Sequence, residues 1–216
     1  MFQKLREPVS GLTHLFGALM SIIALYILVT SSAFKNNIWG IVASSIFGSS
    51  LILLYSASSI YHLSMVSEKA IKVLRRIDHS MIYVLIAGSY TPICLITLRG
   101  PWGWSIFGVI WSFALLGILI KNFWFSAPRW LSTSFYIIMG WTLIVAIFPL
   151  SKVLPSAGMF WLFAGGIAYT IGGVIYGTKW PKIPFKQFSF HETFHIFVLI
   201  GSFCHFWLVF KYVVNI

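Results

Sequence analysis

Charged side chains are scarce in this chain, and acidic ones are the scarcest. Asp, Glu, Lys and Arg make up 9% of the 216 residues, whereas soluble domains carry about 25%. Four charged residues are acidic and fifteen are basic, which gives a formal net charge of +11. This composition excludes an ordinary soluble domain. The cations are scattered between apolar runs and form no patch, so the sequence predicts no nucleic-acid partner.

Cysteine is almost absent. The two cysteines, Cys94 and Cys204, both fall inside apolar runs. Small secreted scaffolds that depend on disulfides contain several cysteines at short spacings. The sequence therefore excludes that class, and we expect two buried free thiols.

Hydrophobic residues are abundant, at 59% of the chain. Seven apolar runs approach the length of about twenty residues that a bilayer-spanning helix needs. The sequence therefore predicts an all-α integral membrane protein, a single seven-helix bundle over residues 1–216. The predicted helices cover roughly residues 11–32, 39–64, 78–98, 103–121, 130–149, 158–178 and 190–213.

The distribution of cations predicts the orientation of this bundle. Eleven of the fifteen lie before the first apolar run or in the second, fourth and sixth connections. These are Lys4, Arg6, Lys69, Lys72, Arg75, Arg76, Lys121, Arg129, Lys179, Lys182 and Lys186. The other four, on the opposite side, are Lys35, Arg99, Lys152 and Lys211. Because cytoplasmic loops carry an excess of Lys and Arg, we expect a cytoplasmic N-terminus and an external C-terminus.

The second connection, residues 67–77, has a helical pattern of its own. Ser67 is a candidate N-cap, and Glu68 follows in the first turn. Apolar residues then form a stripe opposite four cations. Two interpretations stay open: a helix lying on the inner leaflet, and an N-terminal extension of the third helix.

His191 and His195 stand four residues apart at the start of the last apolar run. On a helix, this spacing separates two side chains by roughly 40° around the axis and about 6 Å along it. Both imidazoles can then reach one metal ion, as in helical zinc sites. Ionisable side chains at the edge of a membrane helix are costly, which favours a functional role.

The predicted topology brings the polar residues to one side of the membrane. All four acids and five of the six histidines fall near the cytoplasmic face. His205 is displaced from His191 by about 21 Å along the helix. His62, His191 and His195 are the candidate metal ligands, because three imidazoles are a common set for a zinc ion that keeps one position open. Ser58, one helical turn before His62, and Asp78 are the candidate catalytic residues beside a metal-bound water.

A plainer interpretation is that these polar side chains cap helix ends near the headgroups. For His79 we expect such a cap, and for His205 a packed, hydrogen-bonded histidine. His14 stays open between support of the site and interfacial capping. No role is predicted for Glu7.

Several motifs together resemble the bacterial haemolysin III group of the PAQR (progestin and adipoQ receptor) family, which includes relatives of the adiponectin receptors. The motifs are SSIYH at residues 58–62, Asp78, AGSYTP at 87–92, GGVIY at 172–176 and HETFH at 191–195. The resemblance implies a seven-helix bundle with its N-terminus inside, in the bacterial plasma (inner) membrane. It implies Zn²⁺ held by His62, His191 and His195, with Ser58 and Asp78 around the zinc-bound water.

The resemblance also implies a function. Adiponectin receptors are credited with ceramidase-type amide hydrolysis, and bacterial members are linked to membrane-lipid homeostasis. We therefore expect a zinc-dependent hydrolase of lipid amide or ester bonds, with membrane lipids as substrate or ligand. The alternatives are a non-enzymatic membrane regulator with a structural zinc and a haemolysin-type, membrane-disturbing protein. A further alternative treats HETFH as the HExxH motif of a metalloprotease with Glu192 as base, but no carboxylate follows His195 to complete its ligands.

Overall fold

The described part of the protein is a bundle of seven long helices. A computed structural model describes residues 5–124, 128–181 and 188–215. In this part of the chain, seven helices are long and apolar enough to cross a membrane, which confirms the predicted fold class. They are α1 (Pro8–Phe34), α2 (Ile38–Leu63), α3 (Glu68–Thr97), α4 (Pro101–Phe123), α5 (Arg129–Val153), α6 (Ser156–Thr178) and α7 (Phe190–Val214).

Three of these helices contain a stretch that is not regular α-helix. Helix α3 continues after Pro92 as the π-helical turn Ile93–Thr97. Pro92 has no backbone N–H, so it interrupts the α-helical hydrogen bonds at this point. Helix α5 tightens to a 3₁₀ turn at Thr142–Ala146, and α7 ends in the π-helical turn Phe210–Val214.

Most helices pack against their neighbours in the chain, and α1 also contacts α7. In the most apolar 18-residue stretch of α3, 67% of the residues are buried, against 28% in α1. Helix α3 is therefore the central helix of the bundle. Helix α6 approaches α5 closely at Gly177, where an added Cβ would lie 3.3 Å from the Thr133 side chain. Cys94 and Cys204 are buried free thiols, as expected.

The segment over residues 67–77 is an extension of α3. Ser67 is the N-cap, with its hydroxyl accepting a hydrogen bond from the Ala70 N–H, and the helix runs without a break from Glu68. A rigid helix therefore links the cations of this segment to Asp78. The orientation of the bundle in the membrane stays a prediction from the charge distribution. Three of the cations counted for it lie outside the described residues: Lys4, Lys182 and Lys186.

Candidate metal centre

Three histidines from two helices meet where the end of α2 lies against the start of α7. One ring nitrogen from each of His62, His191 and His195 lies within 4.8 Å of the others. His62 and His195 are each 1% exposed, and His191 is partly buried. The three candidate ligands predicted from the sequence therefore form one buried cluster.

The hydrogen bonds of His62 assign roles to its two ring nitrogens. Nδ1 contacts Oε2 of Glu7, the residue just before α1, and Nε2 lies 3.2 Å from Nε2 of His191. The Glu7 backbone N–H also donates to the His62 carbonyl at 3.1 Å. With the Nδ1 proton directed at the carboxylate, the lone pair of Nε2 faces the centre of the cluster. Metal-binding histidines commonly have such a carboxylate partner.

Glu7 is ionised at neutral pH. Its hydrogen bond to His62 and the nearby Arg6 guanidinium lower the pKa of its carboxyl group to about 2, against the opposing effect of partial burial. Arg6 is 3.1 Å from the same carboxylate oxygen that contacts His62. A fixed negative charge therefore stands behind the His62 ring, where it increases the basicity of Nε2.

The geometry of the cluster suits a metal ion held by imidazole ligands. Two nitrogens bound to one tetrahedral zinc at about 2.0–2.1 Å lie roughly 3.3–3.4 Å apart. The distance between Nε2 of His62 and Nε2 of His191 is close to this, at 3.2 Å. Nδ1 of His195 is buried and has no hydrogen-bond partner among the residues that the structure describes. Neutral imidazoles directed at one point repel each other unless a proton or a cation lies between them.

Ser58 and Asp78 lie beside the cluster. Ser58 is 1% exposed and Asp78 is 7% exposed. The two side chains interact with each other, and Asp78 is close enough to His62 for their charges to interact. With His14, His191 and His195 they line one cavity. All five predicted site residues are thus brought to one place.

His14 belongs to the same cluster, so the interpretation as an interfacial cap does not hold. Its ring stacks on His195 at a centroid distance of 3.6 Å and an interplanar angle of 10°. It is 3% exposed, and within the described part of the chain neither ring nitrogen has a hydrogen-bond partner. The stacking fixes the plane of the His195 ring.

Comparisons with known proteins identify the family. Residues 2–206 match the family model described as "Haemolysin-III related". The chain belongs to this family. It is 43% identical over 216 residues to "Hemolysin-3 homolog" of Bacillus subtilis (strain 168), covering 100% of this chain and 98% of that protein. It is 42% identical to "Hemolysin-3" of Bacillus cereus, covering 99% and 94% of the two chains.

A weaker similarity extends to the adiponectin receptors. The chain is 24% identical over 222 residues to "Adiponectin receptor protein" of Drosophila melanogaster, covering 90% of this chain and 48% of that protein. The predicted resemblance to the haemolysin III group of the PAQR family is confirmed. The haemolysin-III family chain is a multi-pass membrane protein, and its bacterial relatives are consistent with the plasma (inner) membrane.

Glu192 has a structural role in this haemolysin-III family chain. It forms a capping box with Ser189 at the start of α7, accepting hydrogen bonds from the Ser189 backbone and hydroxyl at 2.7 and 2.6 Å. Its other oxygen accepts from Ser10 of α1. A general base needs a free oxygen directed at the reacting water, so these contacts oppose the metalloprotease alternative.

An apolar cavity leads away from the histidines into the membrane-spanning part of the bundle. Its volume is about 140 Å³, and its walls come mainly from α3, α5, α6 and α7. Leu85, Ile86 and Leu143 are among the apolar residues along it, and it extends to His205. Ile144, which also lines it, is 49% exposed on the outer face of α5. The cavity therefore has the polarity of a site for a hydrocarbon chain.

His205 and His79 differ in part from their predicted roles. His205 is packed, stacking on Tyr169 with ring centroids 5.4 Å apart, but no described residue forms a hydrogen bond with its Nδ1. His79 does not cap a helix end at the surface: its Nε2 lies 3.4 Å from the Tyr176 hydroxyl inside the bundle. Sequence reasoning did not identify His79 as a cavity residue, because the direction of its side chain depends on how α3 is rotated against α6.

A second, polar space lies on the other side of the histidine cluster. This vestibule has a volume of about 550 Å³, and it shares His79, Tyr136, Tyr176 and His191 with the apolar cavity. The candidate metal centre therefore lies between a hydrocarbon-lined space and a polar one.

Proposed function

We propose that this haemolysin-III family chain is a zinc-dependent hydrolase that cleaves an amide or ester bond of a membrane lipid. One observation carries the proposal: a buried set of three imidazoles lies beside Ser58 and Asp78 at the end of an apolar cavity. A lipid chain in that cavity places a carbonyl group next to the histidines.

The proposed mechanism assigns a role to each residue. His62, His191 and His195 hold the zinc ion. Zinc bound to three imidazoles lowers the pKa of a water molecule to about 7 and polarises a carbonyl group. Asp78 accepts the proton of the attacking water and delivers it to the leaving nitrogen or oxygen as the carbonyl–heteroatom bond breaks. Ser58 donates a hydrogen bond that holds Asp78 in position, and the apolar walls keep bulk water from the reacting carbonyl.

Product release from defined lipids tests the proposal. Purified protein in lipid nanodiscs is incubated with matched lipid amides and esters, and the released fatty acid is measured for wild type, His191→Ala and the surface variant Lys72→Gln. We expect release by wild type and Lys72→Gln and none by His191→Ala. Equal release by wild type and His191→Ala would end the proposal.

A non-enzymatic regulator with a structural zinc is the second candidate. It is favoured by one observation: His62 on α2 and the pair on α7 are positioned to let one ion join the two helices. This candidate predicts bound zinc, metal-dependent stability and no lipid product from any variant. The product assay separates the two functions, whereas a stability measurement alone does not. The haemolysin alternative rests on the names of the Bacillus relatives.

We expect Glu7→Gln to weaken zinc binding by about tenfold, at the lower end of the 10–100-fold range for carboxylates that support a metal-binding histidine. Glutamine keeps an acceptor oxygen for His62 Nδ1 but removes the negative charge. The measurement is a zinc competition titration against a chelator of known affinity. The matched control is Glu68→Gln, because Glu68 is an exposed acid in the first turn of α3. Equal affinities in the two variants would contradict a role for Glu7 at His62.

A further inference from the structure

We propose that the polar vestibule binds the phosphate group of an anionic lipid, which would make the substrate an acylated phospholipid. This inference deepens the proposed function and rests on it for the position of the bond that is cleaved. The vestibule itself is defined by its lining, which combines residues of α2 to α7 and the segment before α1.

Three cations converge on this vestibule. Arg75 of α3, Lys121 of α4 and Arg129 of α5 all line it, and both arginines are close enough to Lys121 to repel its charge. Like charges brought together from three helices create a region of positive potential that attracts an anion. A phosphate group offers oxygen acceptors at the spacing that arginine and lysine recognise.

Lys121 distinguishes this arrangement from ordinary cationic loops. Its side chain is only 6% exposed, whereas those of Lys69, Lys72 and Arg75 are exposed. The Nζ atom donates to the Ser132 hydroxyl at 3.3 Å, so it is held inside the vestibule. Buried lysines are rare because a desolvated ammonium group is costly.

Arg129 is held against two aromatic rings. Its guanidinium carbon lies 4.7 Å from the centre of the Tyr176 ring and 5.7 Å from that of Phe190. Nη1 donates to the Tyr176 carbonyl at 3.4 Å. Stacking and one backbone bond fix the plane of the guanidinium group, a geometry suited to phosphate.

The two acidic residues of the vestibule are engaged elsewhere. Glu7 contacts Arg6 and His62, and Glu192 is bound by Ser10 and Ser189. Both therefore serve the histidine side of the space. The lining holds three cations against two acids, and the acids lie on the histidine side, so a phosphate would meet a positive potential on the other side.

The two spaces together specify the order of groups in the ligand. They meet at His79, Tyr136, Tyr176 and His191, next to the candidate metal centre. A molecule that fills both places its hydrocarbon chain in the apolar cavity, its carbonyl at the histidines and its anionic group in the vestibule. Acylated lipids with a phosphate headgroup have this order.

Equilibrium binding tests the inference without requiring turnover. Short-chain phosphatidic acid and diacylglycerol with the same chains are compared on detergent-purified protein, in wild type and in His191→Ala, which cannot consume the ligand by the proposed reaction. We expect phosphatidic acid to bind roughly tenfold more tightly, the effect of one charge-assisted hydrogen bond gained. Because this binding measurement needs no turnover, it still tests the phosphate site if the product-release assay shows no hydrolysis.

Variants locate the phosphate site. Arg75→Gln, at an exposed position, is expected to weaken phosphatidic acid binding roughly tenfold and to leave diacylglycerol binding unchanged. Lys72→Gln, one turn earlier on the exposed face of the same helix, is the matched control and is expected to bind as wild type does. Lys121→Met, checked for folding by thermal denaturation, is expected to lose at least as much as Arg75→Gln.

Three results would overturn the inference. The first is equal binding of phosphatidic acid and diacylglycerol by wild type. The second is an equal loss in Arg75→Gln and Lys72→Gln, which would indicate general surface charge. The third is displacement of the lipid by inorganic phosphate or glycerol 3-phosphate at concentrations comparable with that of the lipid, which would show a site for soluble phosphate compounds.

Discussion

Replacing His62 or His191 with alanine is expected to reduce bound zinc from about one ion per chain to less than a tenth of that. Each change removes one of three imidazoles whose donor atoms lie within 4.8 Å of one another, and two ligands do not hold zinc against dilution during purification. The measurement is elemental analysis of protein purified in the presence of zinc.

The same variants are expected to unfold at lower temperature. A ligand present at about 100 times its dissociation constant stabilises the folded state by roughly 2.7 kcal/mol. For a chain of this size that corresponds to a fall of roughly 5–10 °C in Tm. A chelator should lower the Tm of wild type by a similar amount and leave His62→Ala unchanged.

His205→Ala is the control for both measurements, because His205 lines the far part of the cavity and lies outside the cluster. It should keep its zinc. Normal zinc content in His62→Ala and His191→Ala, or an equal loss in His205→Ala, would remove the basis of the metal centre.

Asp78→Asn is expected to lower lipid hydrolysis by roughly 10²–10⁴-fold, the usual contribution of a general base, while zinc content stays at the wild-type level. Asparagine keeps the size of the side chain and its contact with Ser58 but accepts no proton. Product release and zinc content are measured on the same preparation, and Ser58→Ala is compared with it. We expect the serine change to cost about tenfold, because it removes one supporting hydrogen bond.

Measuring product release and zinc content on the same preparation separates the possible roles of Asp78. Unchanged product release in Asp78→Asn would exclude Asp78 as the base. Loss of zinc together with activity would assign Asp78 to metal binding instead. Retained zinc with lost activity is the expected combination, and a purely structural role for the site does not produce it.

Local sequence patterns predicted part of this structure well. The seven helices follow from runs of apolar residues, and the His191 and His195 pair follows from helical spacing, because both signals are contained within one segment. Ser67 as the N-cap of α3 is local in the same way. The grouping of His62 with that pair required the predicted topology, since 129 positions separate it from His191.

Other features depend on how helices are rotated against each other, which spacing does not reveal. Glu7 reaches His62 across 55 positions of sequence, and the stacking of His14 on His195 requires close approach of α1 to α7. Lys121 was counted among cations that determine topology, yet it is buried. The direction of the Lys121 side chain depends on how α4 is rotated about its axis. Because the surface of α4 is apolar, its sequence gives little information about that rotation.

The position of the candidate metal centre between two unlike spaces bears on how the products of the proposed cleavage would leave. The hydrocarbon product would lie on the side lined by Leu85, Ile86 and Leu143, and the polar product on the side lined by Arg75 and Lys121. Each fragment could then depart into the medium that dissolves it, without passing the other. Turnover would not require a fatty chain to cross a charged surface, nor a charged group to enter the lipid.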